Sequence, residues 1–172
     1  MGGTAVSLPA ALTAKASELL ELCRLHGVTL ATAESCTGGL VAAALTAIPG
    51  SSSVVERGFV TYSNQAKTEM LGVPEEMIEA HGAVSAQVAR VMAEGAVIHS
   101  RADVSLSITG IAGPDGGTAA KPVGTVHIAA AQHGALTLHR ACLFQGDRDS
   151  VREQSALAAM ELLMERICSF RR

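Results

Sequence analysis

Short β-capable segments alternate with helical segments along almost the whole chain, and this alternation limits the possible folds more than any other feature. The segments with a strand pattern are residues 28–33, 54–63, 104–108, 123–132 and 136–144. The segments with a helical pattern are residues 8–26, 38–48, 65–71, 74–81, 86–100 and 147–168. Only residues 133–135 separate the last two strands, so we expect an antiparallel hairpin there. The pattern predicts an α/β protein: a three-layer α/β/α sandwich with a mixed sheet of about five strands, in one domain over residues 1–172.

The composition argues against several classes of partner. Only 2% of the residues are aromatic and the formal net charge is -3, so the chain lacks the stacking surfaces and the basic stripe of nucleic-acid-binding proteins. No apolar run approaches the roughly 20 residues that cross a bilayer, so no membrane partner is expected. The 4 cysteines are far apart and no H-x-x-x-H pattern occurs, so no metal site is expected. Free thiols and the lack of a signal peptide predict a cytoplasmic protein that acts on a small molecule.

The junction between the first predicted strand and the next helix is rich in small and hydroxyl-bearing residues. It reads AESCTGGL over residues 33–40. Backbone N–H groups at such a junction, together with the positive end of the helix dipole, can bind a phosphate or an oxyanion, and glycines let a ligand approach the backbone. The alternative is a plain turn in which Ser35 or Thr37 caps the helix. The residue types alone leave both interpretations open.

A serine nucleophile at this junction needs a base, and the histidines of the chain form no cluster that would supply one. Lys67 follows the second predicted strand, and ligands bind at strand ends in open α/β sheets, so Lys67 is the best-placed candidate base for Ser35. A lysine can act as a base only when it is neutral, which requires burial or a nearby cation to lower its pKa. Cys36 is the rival nucleophile, because a thiol is intrinsically more reactive than a hydroxyl.

A second glycine-rich segment follows the strand at residues 104–108. It covers residues 109–117, begins with Thr109 and Gly110, and contains a proline. This composition indicates either a rigid loop beside a ligand or a long crossover turn.

Arg148 lies in the first turn of the last predicted helix, which Asp147 is expected to cap. A cation at that end of a helix opposes the helix dipole. The side chain could bind an anion, or it could pair with Asp149 or Glu153, and the sequence leaves these possibilities open.

Several segments taken together resemble one family. They read TAESCTGGLVAAALTAIPGSSSVVERGFVTYSNQAKTEMLGV over residues 32–73, HGAVS over 81–85, TGIAGPDGGTAAKPVGTV over 109–126 and GDRDSVR over 146–152. This sequence resembles the CinA C-terminal domain family, whose enzymatic members are nicotinamide mononucleotide amidohydrolases. The resemblance covers nearly the whole chain after about residue 12. Some family members carry a larger N-terminal domain, so we interpret this chain as the stand-alone form.

The resemblance implies a fold, a reaction and a set of site residues. The fold is an α/β/α sandwich with a mixed five-stranded sheet. The reaction converts nicotinamide mononucleotide and water into nicotinate mononucleotide and ammonia, in pyridine-nucleotide salvage, with no metal or organic cofactor. The family's serine falls on Ser35 and its lysine on Lys67, and the resemblance adds Tyr62 to these as a catalytic residue. Thr109 and Arg148 fall on positions that bind the substrate. Family members are often homo-oligomers, which we expect here too.

The implied mechanism uses the junction directly. Ser35 would attack the carboxamide carbon, and Lys67 would take the serine proton and later give one to the departing amine. Backbone N–H groups from Thr37, Gly38 and Gly39 would stabilise the oxyanion.

The substrate's phosphate would bind to residues 109–117, with Thr109 and Gly110, and to Arg148. Two alternatives remain at the level of sequence. One is a nucleotide-binding module without catalysis, linked to competence or to DNA damage. The other keeps the hydrolysis but makes Cys36 the nucleophile.

Overall fold

A computed structural model of the chain describes residues 7–169, which form a mixed five-stranded sheet with helices on both faces. The strands are β1 (Leu30–Glu34), β2 (Val55–Val60), β3 (Val104–Gly110), β4 (Thr125–Gln132) and β5 (Leu138–Leu143). The helices are α1 (Ala10–His26), α2 (Leu40–Thr46), α3 (Asn64–Leu71), α4 (Glu75–His81), α5 (Ala86–Ile98) and α6 (Arg148–Cys168), and Ser51–Ser53 form a short 3-10 helix. The two ends of the predicted domain, residues 1–6 and 170–172, lie outside the described residues.

The sheet has the strand order β2-β1-β3-β4-β5. β1 pairs in parallel with both β2 and β3, whereas β3, β4 and β5 pair antiparallel to one another. All five residues of β1 are buried, which is typical of a central parallel strand with helices on both of its faces. The predicted α/β/α sandwich, the mixed sheet and the final hairpin are therefore confirmed.

Two helical layers cover the sheet and divide the core into two parts. On one face, α1, α2 and α6 pack against alternating aliphatic residues of the strands, among them Leu30, Leu106 and Ile128. On the other face, α3, α4 and α5 pack against Ala31 and Ala33 of β1. The small alanine side chains on this face let the helices approach the sheet closely. α3 carries Lys67, the candidate base predicted from the sequence.

The boundaries of several elements differ from the predicted ones for identifiable reasons. α1 begins at Ala10 because Pro9 has an extended ψ of 135° and precedes the helix as its cap. α2 begins at Leu40, later than predicted, because Gly38 and Gly39 have φ values of 60° and 96°, which are incompatible with a right-handed helix. β3 continues to Gly110 because its last two residues still pair with β4.

The described part of the chain contains no helix that combines the length and the apolar character required to cross a membrane.

Candidate active site

Polar residues converge at the edge of the sheet where β1, β2 and β3 end. The main-chain N–H of Ser35 donates to Ile108 O of β3 at 3.0 Å, and the N–H of Thr61 donates to Glu34 O at 2.8 Å. These bonds extend the ladders on both sides of β1 and fix the position of Ser35. A cavity of about 260 Å³ opens beside it. The residues that line this cavity are Ser35, Cys36, Tyr62, Gly110, Ile111, Ala112, Gly113, Asp115, Gly116 and Arg148.

Lys67 reaches Ser35 from the neighbouring helix. Ser63 accepts a hydrogen bond from the N–H of Ala66 and so caps α3, which places Lys67 in the first turns of this helix. Nζ of Lys67 lies 3.0 Å from Ser35 Oγ and 2.9 Å from Thr61 O. The sequence placed these two side chains 32 residues apart, and the fold brings them into hydrogen-bond contact.

The surroundings of Lys67 favour the neutral amine. Lys67 is only 2% exposed and Ser35 only 8%. Within residues 7–169, no carboxylate pairs with this lysine. Burial therefore lowers the pKa of Lys67 below its usual value of 10.5, while the nearby Cys36 has a smaller opposing effect.

The carboxylate of Glu34 binds the N-terminus of α2. Glu34 is fully buried, and it accepts hydrogen bonds from the N–H groups of Val41 at 3.1 Å and Ala42 at 2.9 Å. Neither Ser35 nor Thr37 caps the helix, because the residue before α2 is Gly39 and it makes no side-chain cap. The positive end of α2 is thus neutralised from within the protein, and these two N–H groups are not free for a ligand.

The loop between β1 and α2 does offer other N–H groups. Gly38 donates to Ser35 O at 2.9 Å, so its N–H is used in a tight turn. Within residues 7–169, the N–H groups of Cys36, Thr37 and Gly39 donate to no main-chain or side-chain oxygen. Unpaired N–H groups in the loop that carries the Ser35 hydroxyl can serve as donors to an oxyanion.

Cys36 is buried beside the same cavity. Burial is the main cause that raises the pKa of its thiol to about 11; the nearby Glu34 carboxylate contributes to this rise, and Arg152 and Lys67 oppose it. A thiol with this pKa is almost entirely protonated at neutral pH, and the thiolate is the reactive form.

Arg148 crosses one side of the cavity. Its Nη1 donates to Gly113 O at 2.7 Å and its Nη2 donates to the hydroxyl of Tyr62 at 2.8 Å. Asp149 does not pair with Arg148; its carboxylate lies 3.7 Å from Nη1 of Arg152. Asp147 caps α6 as predicted, since its carboxylate accepts from the N–H of Ser150. The guanidinium of Arg148 therefore stands at the cavity with no carboxylate partner among the described residues.

The predicted residues Thr109 and Gly110 have different positions relative to the cavity. Gly110 lines it, and a Cβ at this position would lie 2.6 Å from Val126 Cγ2, so only glycine fits. Thr109 is buried and its hydroxyl donates to Ala83 O at 2.8 Å, which ties the end of β3 to the chain before α5. Its side chain does not line the cavity.

Three residues with a place in this site did not stand out in the sequence: Glu34, Asp115 and Arg152. Glu34 is the last residue of β1, and a buried carboxylate cannot be told from a surface one without the fold. Asp115 lies in the glycine-rich loop and faces the cavity. Arg152 falls in the segment GDRDSVR, and its spacing from Arg148 was the one available signal, since residues four apart share a helix face.

No group of three or more histidine, cysteine, aspartate or glutamate side chains within residues 7–169 is arranged to hold a metal ion. His127 and His139 do meet, with Nδ1 of the first 2.9 Å from Nε2 of the second. This pair lies on β4 and β5, and neither histidine lines the cavity.

Comparisons with known proteins agree with this architecture. Nicotinamide-nucleotide amidohydrolase PncC of Escherichia coli K12 is 52% identical in an alignment over 157 residues that covers 87% of this chain and 94% of that protein. A CinA-like protein of Citrifermentans bemidjiense is 56% identical over 142 residues, but the matched part is only 34% of its length. The chain thus spans about a third of some relatives and nearly the full length of others.

A solved structure and a family model also match this chain over most of its length. The crystal structure of the competence/damage inducible protein CihA from Agrobacterium tumefaciens superposes with a TM-score of 0.89 at 45% sequence identity, covering 92% of this chain and 97% of the other. The model of the CinA C-terminal domain matches residues 12–167. With nearly all of its sheet and helices inside that match, the chain belongs to the CinA C-terminal domain family.

Proposed function

We propose that this chain hydrolyses the carboxamide of nicotinamide mononucleotide and so produces nicotinate mononucleotide and ammonia for pyridine-nucleotide salvage. The observation that carries the proposal is the buried contact between Lys67 Nζ and Ser35 Oγ, 3.0 Å long, at the edge of the cavity. The identity of 52% to a nicotinamide-nucleotide amidohydrolase, along 94% of that enzyme, supports the choice of substrate.

The hydrogen bonds around Lys67 support its role as the base. A neutral amine has two hydrogens and one lone pair, whereas the ammonium form has three hydrogens and no lone pair. Thr61 O accepts one hydrogen, and the hydroxyl of Ser35 can donate to the lone pair. In the neutral amine the lone pair can accept the Ser35 proton, whereas the ammonium form has no lone pair and would bury a charge with no carboxylate partner among residues 7–169.

The reaction proceeds through an ester on Ser35. Oγ of Ser35 bonds to the carboxamide carbon while its proton moves to Nζ of Lys67, which gives a tetrahedral intermediate. The C–N bond then breaks, and the leaving nitrogen takes the proton from Lys67 and departs as ammonia. Water attacks the ester, gives a proton to Lys67, and the proton returns to Ser35 Oγ as the acid product leaves.

The oxyanion of the intermediate is stabilised by the loop that carries Ser35. Thr37 and Gly39 have N–H groups without a protein partner among the described residues, whereas that of Gly38 is used by Ser35 O. We therefore assign the oxyanion to the first two and not to Gly38. Removal of one such donor typically costs about 2.7–4 kcal/mol of transition-state stabilisation.

The phosphate of the substrate binds on the side of the cavity that carries Arg148. The guanidinium is held by Gly113 O and by the hydroxyl of Tyr62 and has no carboxylate partner among residues 7–169. A phosphate can accept two parallel hydrogen bonds from an arginine. Gly110 lines the cavity at the start of the loop, where its missing Cβ allows close packing against Val126. Thr109 supports this side of the site through its bond to Ala83 O.

The serine is a better nucleophile here than the neighbouring cysteine. Burial raises the pKa of Cys36 to about 11, which disfavours the thiolate. Ser35 has the direct contact with the amine of Lys67, and for Cys36 no such contact exists within residues 7–169.

The proposal also includes the location and the assembly of the protein. We expect a homo-oligomer in the cytoplasm that uses no cofactor and binds neither nucleic acid nor membrane, in keeping with the sequence. Light scattering of the purified protein measures the oligomeric state directly, and a monomer at assay concentration would contradict that expectation.

The test is the release of ammonia from nicotinamide mononucleotide by the purified protein. We expect turnover by the native protein and a loss of several orders of magnitude in Ser35→Ala. Native protein that binds the mononucleotide without releasing ammonia would contradict the proposal and favour a nucleotide-binding module without catalysis.

A further inference from the structure

Arg152 connects α6 to the loop that carries Ser35. Its Nη2 donates to Thr37 O at 3.0 Å, across 115 residues of chain. Arg148 and Arg152 lie one helical turn apart, so one face of α6 reaches both sides of the site. Arg148 contacts the side of Gly113 and Tyr62, and Arg152 contacts the side of the nucleophile. Arg152 is not among the residues that line the cavity.

The hydrogen bond from Arg152 is one of three that hold the peptide between Thr37 and Gly38 in place. Thr37 O also accepts from the N–H of Leu40 at 3.1 Å, and the N–H of Gly38, in the same peptide as Thr37 O, donates to Ser35 O at 2.9 Å. The peptide between Thr37 and Gly38 is thus held at both ends. Its orientation sets the directions of the adjacent N–H groups of Thr37 and Gly39, which have no other acceptor in the described chain.

A position near the N-terminus of α6 is electrostatically unfavourable for a cation. The carboxylate of Asp149 lies 3.7 Å from Nη1 of Arg152, but Asp149 is 92% exposed and the ion pair contributes little. The charge of Arg152 does reach the nucleophile loop, since it opposes the dominant effect of burial on the pKa of Cys36. Its cation is therefore close enough to favour negative charge that develops beside Ser35.

We propose that Arg152 is a positioning residue that holds the loop at residues 35–39 in the geometry that stabilises the oxyanion. The inference rests on the proposed amidohydrolase function, and it concerns a residue that contacts neither substrate nor Ser35 Oγ. A displacement of about 1 Å in such a loop can cost roughly 100-fold in rate. The loss should appear in kcat, because the oxyanion exists only in the transition state and the intermediate.

The experiment compares the intact protein with Arg152→Met, Arg152→Lys and the control Asp149→Asn. Arg152→Met keeps the aliphatic stem but removes the donor and the charge, and the side chain is 30% exposed, so folding should persist. We expect kcat for nicotinamide mononucleotide to fall by about 10- to 100-fold with KM within about threefold of the native value. Arg152→Lys should recover part of this loss because it retains a cationic donor. Asp149→Asn should match the native protein, and thermal melting verifies that each variant is folded.

A second assay does not depend on the substrate. Diisopropyl fluorophosphate forms a bond from Ser35 Oγ to phosphorus as the P–F bond breaks, with fluoride leaving and the serine proton passing to Lys67. Because this reaction also develops negative charge on oxygen, Arg152→Met should slow labelling of Ser35 by a similar factor. Slower labelling in a protein that releases no ammonia would overturn the proposed substrate but sustain the role of Arg152.

Other outcomes overturn the inference. A rise in KM with unchanged kcat would mean that Arg152 binds the substrate's anion. Native kcat and native labelling of Ser35 in Arg152→Met would mean that the bond to Thr37 O does not position the loop. If Arg152→Met does not fold, Arg152→Lys takes its place: a kcat below that of Asp149→Asn together with slower labelling of Ser35 supports the inference, and native kcat with native labelling contradicts it. Native protein that neither releases ammonia nor is labelled at Ser35 overturns this inference together with the proposed function.

Discussion

The amine of Lys67 is held by two oxygens, Ser35 Oγ and Thr61 O, neither of which carries a formal charge. A buried ammonium group without a carboxylate is costly, so the site itself selects the neutral base. The same burial that lowers the pKa of Lys67 makes its replacement by a longer, permanently charged side chain unfavourable. The proposed chemistry thus depends on the environment of one nitrogen atom.

Lys67→Met and Lys67→Arg should both abolish turnover, with kcat/KM at least about 1,000-fold lower, because neither side chain can accept the serine proton. In the native protein kcat/KM should fall as the pH decreases through the lowered pKa of Lys67, since the ammonium form is inactive. Ammonia release across a pH series measures this, with Lys15→Arg on α1 as the matched control. An arginine variant with native activity would refute the assignment of the base.

Cys36→Ala should keep kcat within about tenfold of the native value, because the thiol is buried and its pKa is about 11. Native protein treated with iodoacetamide at neutral pH should likewise retain activity while Cys36 stays unmodified. Peptide mass spectrometry identifies the modified cysteines. Loss of activity in Cys36→Ala equal to that in Ser35→Ala would move the nucleophile to the cysteine.

The strands β4 and β5 contain the one ring-to-ring contact among the described residues, between His127 and His139. One ring must donate and the other accept, so the contact is lost when both are protonated. Burial lowers the pKa of each ring; Lys121 adds to the effect on His127, and Arg90 and the neighbouring ring add to that on His139. The hairpin is therefore an element whose stability depends on pH.

The direction of that dependence follows from linkage. Between the lowered folded-state pKa values and the ordinary value of 6.5, the unfolded chain binds more protons than the folded chain. The free energy of unfolding should thus decrease as the pH falls through this window. Urea unfolding measures the free energy of unfolding at about pH 7.5 and at about pH 5.5. The change in this free energy between the two pH values should be smaller for His139→Gln than for the native protein. The control is His133→Gln, whose histidine is exposed, and it should behave as the native protein does. An equal difference in all three proteins would exclude this pair as the cause.

The elements themselves were well predicted by local patterns, because period and turn residues act over short distances. The ends of these elements were less well predicted where they depend on pairing with another strand or on the backbone conformation of glycines. β3 continues to Gly110 only because β4 lies beside it, and α2 starts late because Gly38 and Gly39 adopt positive φ. The strand order places β1 between β2 and β3, which no local pattern in the sequence contained.

At the scale of the whole molecule, the site depends on how the helical layers pack. α3 carries Lys67 and lies against α5, where Gly95 faces the main chain of Leu71 at the end of α3. A Cβ on Gly95 would collide with Leu71 O. The glycine thus sets the distance between the two helices and, through α3, the position of the base.

Gly95→Ala should destabilise the protein by about 1–3 kcal/mol, because an added methyl group must push the helices apart. It should also lower kcat, since α3 moves with Lys67 relative to Ser35. Thermal melting and ammonia release measure the two effects, and Gln87→Ala on the exposed side of α5 is the control. A variant with native stability and native activity would show that this contact does not position the base.

The sequence predicted the two side chains of the proposed dyad but not all of the residues that hold them in place. Ser35 and Lys67 were identified because a hydroxyl at a strand-to-helix junction and a lysine after the next strand are local signals, joined by the family resemblance. Glu34 and Arg152 were missed because their roles depend on contacts made only in the fold, with α2 and with Thr37 O. Thr109 was placed by resemblance, and its side chain binds Ala83 O beside the site.

The covalent intermediate tests the central claim most directly. Acid quenching of the reaction within the first turnover, followed by peptide mass spectrometry, should find the nicotinate mononucleotide acyl group on Ser35 in the native protein. No acyl group should form in Lys67→Met. An acyl group on Cys36, or continued turnover with no adduct on any residue, would contradict the proposed action of Lys67 on Ser35.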